Sequence, residues 1–239
     1  SGYGNSVTPV GVSNAGPVLV SAPRDRGVRP GEISPIRLLF SDIFRDPEND
    51  ALSLTITLAD GSPLPSWLRA SRDAQTGEIV IVASPAANAP DSDVVIKLTA
   101  FETAYSANTI STTFTMKVRQ NMAPEARADA PAIPAAIVGQ AFLHDINPYA
   151  HFIDLDVNES LTLSAHGVGW PEWLQVVNVG GHLRLQGTPP SVQSYTFVLR
   201  ATDSRGAHAE RSVTINAAEY AGPAVIAPLA PIQATVGHG

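Results

Sequence analysis

Three motifs occur twice in this chain, in the same order and at nearly the same spacing. Phe44-Arg45-Asp46-Pro47-Glu48-Asn49-Asp50-Ala51-Leu52 is matched by Phe152-Ile153-Asp154-Leu155-Asp156-Val157-Asn158-Glu159-Ser160-Leu161. Pro65-Ser66-Trp67-Leu68 is matched by Pro171-Glu172-Trp173-Leu174, and Ala100-Phe101-Glu102 by Ala201-Thr202-Asp203. The copies lie about 100 residues apart and the separation shrinks slowly along the chain, which is the mark of a tandem repeat with small insertions and deletions. A repeat of this length restricts the fold to two similar domains in series, and 239 residues suit that division.

The links repeat as well. Asn14-Ala15-Gly16-Pro17 precedes the first copy, Asn121-Met122-Ala123-Pro124 the second, and Tyr220-Ala221-Gly222-Pro223 stands in the third equivalent place. The segment from Ala227 to Gly239 then echoes the one from Ala130 to Ala141. The expected organisation is an extension over residues 1–16, a first domain over 17–119, a linker over 120–124 and a second domain over 125–218. Residues 219–239 read as the start of a third repeat in a chain cut from a longer array, or as a tail that pads the second domain. Ser1-Gly2-Tyr3-Gly4-Asn5 lacks a basic and apolar leader, so an exported form of this chain would be a mature or internal piece.

The local pattern is all-β. Apolar and polar residues alternate over Leu52–Leu58, Glu78–Ile81, Val94–Ala100 and Ser111–Val118, with β-branched residues throughout. Asp60-Gly61-Ser62-Pro63, Thr76-Gly77 and Ser84-Pro85 punctuate them as turns. No long segment carries a 3.6-residue stripe. Short strands at this spacing predict two β-sandwiches.

Composition narrows the function. The chain has 15 Lys and Arg against 22 Asp and Glu, a formal charge of -7, which excludes a clustered basic grip on nucleic acid. No apolar run is long enough to span a membrane as a helix. With no cysteine, neither a disulfide framework nor a thiolate metal site can form. The histidines (His144, His151, His166, His182, His208 and His238) lack zinc-site spacing, and no nucleophile elbow, phosphate loop or dinucleotide fingerprint occurs. Paired carboxylates would serve a glycosidase only in a cleft, for which two sandwiches of about 100 residues leave little room. The expectation is therefore no enzyme.

The acidic loops carry the chemistry. Asp46, Glu48 and Asp50 offer carboxylates at alternate positions, and Asp154, Asp156, Asn158 and Glu159 offer the same donors. Calcium takes six to eight oxygen ligands, which Asp, Glu, Asn and backbone carbonyls supply. The plain alternative is Asx turns that solvate a loop.

The order Phe-x-Asp-x-acid, Pro-x-Trp-Leu, Ala-Thr-Asp-x-x-Gly resembles the cadherin-like, dystroglycan-type tandem domains of bacterial surface proteins and adhesins. It covers the chain from about Pro17 to Ala217, and more loosely is similar to the rhizobial Rap-type calcium-binding adhesins. The resemblance implies two cadherin-like (Ig-like Greek-key) β-sandwiches in series. It also implies that Glu102 joins the first acidic loop and Asp203 the second, with Asn14 and Asn121 close by. In such proteins the ion lies at a domain junction and stiffens the pair, so Glu32, Asp91 and Asp93 become further candidates for the second site. The first repeat departs from the pattern, with Phe101-Glu102-Thr103 where Thr-Asp is usual, and the second loop holds one extra residue. Without a cation, each close pair among Asp154, Asp156, Glu159 and Asp203 would repel by about 1 kcal/mol or more.

Trp67 and Trp173, repeated at equivalent positions, read as core residues. Trp170 replaces Leu64 and is the best single aromatic for a ligand face, with packing as its alternative; Tyr105 and Asn108 follow Glu102 in a loop and could join it. The expected function is a calcium-binding, non-catalytic module of an exported, extracellular or cell-surface protein. It would mediate adhesion or matrix attachment to an extracellular polysaccharide or a cell-surface partner, with homotypic association open. A calcium-dependent lectin for acidic polysaccharide and a passive spacer of a secreted enzyme are the alternatives.

Overall fold

A computed structural model describes residues 14–73 and 75–222. The expected third-repeat strand beyond Gly222 lies outside the described residues. The chain is all-β, with two Ig-like sandwiches in tandem. Among the described residues each repeat yields nine strands and one single-turn helix in the same order. The first repeat runs β1 (Val18–Leu19), β2 (Arg26–Val28), β3 (Ser34–Leu39), α1 (Phe40–Ile43), β4 (Phe44–Arg45), β5 (Leu52–Leu58), β6 (Leu68–Arg72), β7 (Glu78–Ala83), β8 (Ser92–Glu102) and β9 (Thr109–Val118). The second runs β10 (Glu125–Ala126), β11 (Ala136–Ile137), β12 (Phe142–Ile146), α2 (Pro148–His151), β13 (Phe152–Ile153), β14 (Thr162–His166), β15 (Leu174–Val179), β16 (His182–Gly187), β17 (Gln193–Thr202) and β18 (His208–Ala218).

The first sandwich packs the sheet β2-β9-β8-β5 on the sheet β3-β7-β6, and the second repeats this as β11-β18-β17-β14 on β12-β16-β15. Each four-stranded sheet contains one parallel pairing, β2 with β9 and β11 with β18, beside antiparallel neighbours. A simple meander of hairpins cannot give that pairing; the chain must cross between sheets, as it does in Ig-like sandwiches. Alternation explains the core. On β7 and β9 every second residue is buried, so Ile79, Ile81 and Met116 pack against Ile96 and Leu98 of β8. In the second sandwich Ile146, Leu185 and Leu199 are fully buried in the same way. Leu52–Leu58 departs from clean alternation, being half-buried at all positions but Thr55, because β5 is the uncovered edge of its sheet.

By contacts the chain forms two compact units that do not coincide with the repeats. Among the described residues the first comprises those up to 125 together with 153–161 and 202–209, and the second 126–152, 162–201 and those from 210 on. The acidic loop of the second repeat and the turn after β17 therefore belong to the first unit.

Candidate functional site

The first acidic cluster grows from the end of α1 and β4. Asp46 is 6% exposed. Its Oδ1 accepts from the Glu48 N–H at 2.9 Å and the Asp50 N–H at 3.1 Å, which folds residues 46–50 into an Asx turn with Asn49 in the left-handed region (φ 65°). Its Oδ2 is buried without a partner. Glu102, at the end of β8, is 1% exposed, and only amides meet it: Asn14 Nδ2 at 2.5 Å and Asn108 Nδ2 at 3.0 Å. Glu48 accepts from the Ala15 N–H at 3.3 Å. Among the described residues Asp46, Glu48, Asp50 and Glu102 form no ion pair. Asp50 and Glu102 also line a cavity of about 320 Å³ with Ala51, Thr103, Ala104 and the exposed Tyr105.

The second cluster, also within the first compact unit, is built differently. The backbone of the loop pairs with β2: Gly27 N–H donates to Leu155 O at 2.6 Å and Val157 N–H to Gly27 O at 2.9 Å. A Cβ at Gly27 would overlap Asp156 Oδ1 and crowd Met122 Sδ at 3.1 Å, so only glycine permits the approach. Two residues further, the buried Arg29 guanidinium donates from Nη2 to Asp156 Oδ2 at 3.1 Å, to Asn121 Oδ1 at 3.2 Å and to Glu159 Oε2. Met122 N–H donates to Asp156 Oδ2 at 2.9 Å, and Asn121 Nδ2 to Asp203 Oδ2 at 2.8 Å. Asp203 Oδ1 accepts from Arg205 and Ala207 N–H groups, and Glu159 Oε1 from Ser204 N–H.

This packing sets the charges. Burial raises Asp154 to about 6, aided by the negative charges of Asp156, Glu159 and Asp203 and opposed by the N–H of Asp156. Burial opposes ionisation of Glu159 too, but Ser204 and Arg29 hold it down to about 2. Burial lowers and the carboxylates raise Arg29, and its net shift is upward.

Of the sequence candidates, the structure gathers Asn121, Asp156, Glu159 and Asp203 around Arg29, with Asp154 beside them. Asn158 is exposed and left-handed (φ 64°), the equivalent of Asn49, so the extra loop residue falls before it and Glu159 is the inward group. Glu32 lies at the margin, 3.0 Å from Arg205 Nη2, while Asp91 and Asp93 pair with Arg119. Trp170 uses its indole N–H on Leu174 O at 2.6 Å and sets its ring edge-on to Tyr195 and Phe197, which is packing.

The donor chemistry of the first cluster fits a hard divalent cation: buried carboxylates, one orphaned oxygen and, among the described residues, no ion pair. The second cluster does not fit one, because Arg29 already holds its oxygens. Among the described residues no three His, Asp or Glu side chains converge closely enough to hold an ion as they stand. Sequence reasoning missed Gly27 and Arg29. The repeat itself carried the signal. Gly31 and Gly139 are equivalent, each with positive φ and each donating to a proline carbonyl at 2.9 Å. That alignment sets Gly27 and Arg29 against Ala135 and Ile137.

Residues 124–218 match the family model described as "Putative Ig domain". A comparison with curated proteins found no match. Among solved structures the chain is similar to the endo-fucoidan hydrolase MfFcnA4 of glycoside hydrolase family 107, at 17% identity and a TM-score of 0.36, over 87% of this chain and 29% of that one. The human desmocollin-1 ectodomain is similar at 16% identity and 0.32, over 88% of this chain and 42% of that one. The tandem Ig repeats of Dlar are similar at 13% identity and 0.36, over 86% and 100%. No helix among the described residues is long and apolar enough to cross a membrane.

Proposed function

We propose that the chain is a calcium-binding, non-catalytic module of an exported bacterial surface protein or adhesin of the dystroglycan or Rap type, and that calcium acts at the first acidic cluster. The observation that carries this reading is the pair of buried carboxylates without an ion pair among the described residues, Asp46 with its orphaned Oδ2 and Glu102 with the amides of Asn14 and Asn108 on it. Asp46, Glu48 and Glu102 would hold the ion, and rotation of the Asn14 and Asn108 amides would turn their oxygens toward it. The ion would neutralise the cluster and tie the linker at Asn14 and Ala15 to the loop, stiffening the chain that leads into the module. The Ig-like fold fits a non-catalytic surface module and is compatible with an extracellular place.

Thermal melting tests the reading. Calcium at about 100 times its Kd adds about 2.7 kcal/mol, several degrees of Tm for a domain of this size. The shift is reversed by EDTA and absent in Glu102→Gln. Superimposable melting curves with and without calcium overturn it.

A lectin reading has one observation in its favour: Tyr105, 61% exposed, stands on the same cavity as Glu102. Retention on immobilised polygalacturonate, lost with chelator and in Tyr105→Ala, would establish calcium-bridged polysaccharide binding. Absence of retention leaves adhesion through a cell-surface partner or another copy of the module, or the spacer role.

A further inference from the structure

We infer that Arg29 takes the place of a metal ion in the second acidic cluster, so that the loop 153–161 is locked by a guanidinium and is indifferent to calcium. Three oxygens that a bound cation would need, Asp156 Oδ2, Glu159 Oε2 and Asn121 Oδ1, accept from one nitrogen of Arg29. A divalent ion on the same oxygens would stand against that guanidinium at contact distance, like charge against like. Arg29 cannot readily swing aside, being 8% exposed. The backbone is committed as well, since the pairing of Gly27 with Leu155 and Val157 brings Asp156 to the place where its side chain meets both Arg29 and the Met122 N–H.

Two departures from the repeat make this arrangement, and both are in the first copy. Gly27 stands where the second copy has Ala135, and Arg29 where it has Ile137. A Cβ at position 27 would collide with Asp156, and an isoleucine at position 29 would leave the carboxylates without a cation. The pair therefore serves the loop it receives rather than the sandwich it belongs to. In the first cluster, with the same Asn-to-carboxylate contact (Asn14 to Glu102, Asn121 to Asp203), Arg72 lines a cavity with Asp46 and Asp50 but donates to the Leu52 carbonyl, and among the described residues no guanidinium forms an ion pair with its carboxylates.

Calorimetric titration of the full chain with calcium tests the inference by counting sites. Arg29→Met is expected to bind one more calcium ion per chain than the wild type. The added site disappears in the double variant Arg29→Met with Glu159→Gln, while Glu159→Gln alone leaves the wild-type count unchanged. The difference between Arg29→Met and wild type stands whether the first cluster contributes one ion or none, so failure of the first-cluster reading lowers both counts equally and is separately visible. An equal count in Arg29→Met and wild type overturns the inference, and so does a wild-type site that Glu159→Gln removes. Amide hydrogen exchange of the wild-type chain needs no variant to fold. Calcium is expected to leave exchange at Met122, which donates to Asp156, unchanged within about twofold, and slowing by about tenfold or more overturns the inference.

Discussion

His151 is a buried imidazole whose ring nitrogen Nδ1 finds no partner among the described residues, and Asp154 is a half-buried carboxylate with an orphaned Oδ2. The two pull stability in opposite directions over an overlapping pH range. Burial, with the positive neighbours Arg211 and His144, holds His151 at about 4 against 6.5 in an unfolded chain. The unfolded chain therefore takes up this proton first, and its contribution to stability is lost as pH falls from 6.5 to 4, on the order of 2 to 3 kcal/mol by pH 4.5. Asp154, raised from 3.8 to about 6, takes its proton first in the folded state. Its contribution is present at low pH and lost as pH rises through 6. The wild-type stability should thus be nearly flat between pH 6 and 4.5. Urea denaturation should show His151→Gln becoming more stable as pH falls across that range and Asp154→Asn becoming less stable. Parallel profiles for the three proteins would mean that neither group titrates away from its ordinary range.

At the scale of elements, each acidic loop is launched by one helical turn, and only one of these is capped. Asn147 accepts from the Tyr149 N–H at 3.0 Å and Pro148 occupies the first helical position, whereas Leu39 before α1 has no side chain to accept. Asn147→Ala should cost about 1 kcal/mol in urea denaturation and Asn147→Asp should cost much less; equal loss in both would place the effect in packing. Neither turn was readable in the sequence, since four residues cannot display a 3.6-residue period. The long strands were readable because one face of each is buried, and β7, β8 and β9 follow their alternation closely. The acidic loops came from the repeat, and the placing of Glu102 and Asp203 beside them from the family resemblance. Arg29 has no local pattern, being a lone arginine after a three-residue strand whose bond to Glu159 spans 130 residues, and only alignment of the two copies at Gly31 and Gly139 sets it apart from Ile137.

At the scale of the molecule, the repeat boundary and the boundary of compactness differ. The sequence divides the chain at residues 120–124, but the first compact unit includes residues 153–161 and 202–209 of the second repeat. A fragment cut at the sequence boundary consequently separates charges that the full chain pairs. Residues 125–218 alone keep Asp154, Asp156, Glu159 and Asp203 but lose Arg29, Gly27, Asn121 and Met122, and Arg205 loses Glu32. Buried carboxylates stripped of their partner cost roughly 3 to 5 kcal/mol, less whatever water and salt recover. The fragment should therefore melt below the corresponding transition of the full chain and regain part of the loss when calcium is added at low ionic strength. A fragment of residues 14–218 should show no such rescue at this cluster, because its guanidinium is present. Equal calcium responses of the two fragments in the transition of residues 125–218 would mean that the carboxylates repack among themselves, and that neither a metal nor an arginine is needed to hold the loop.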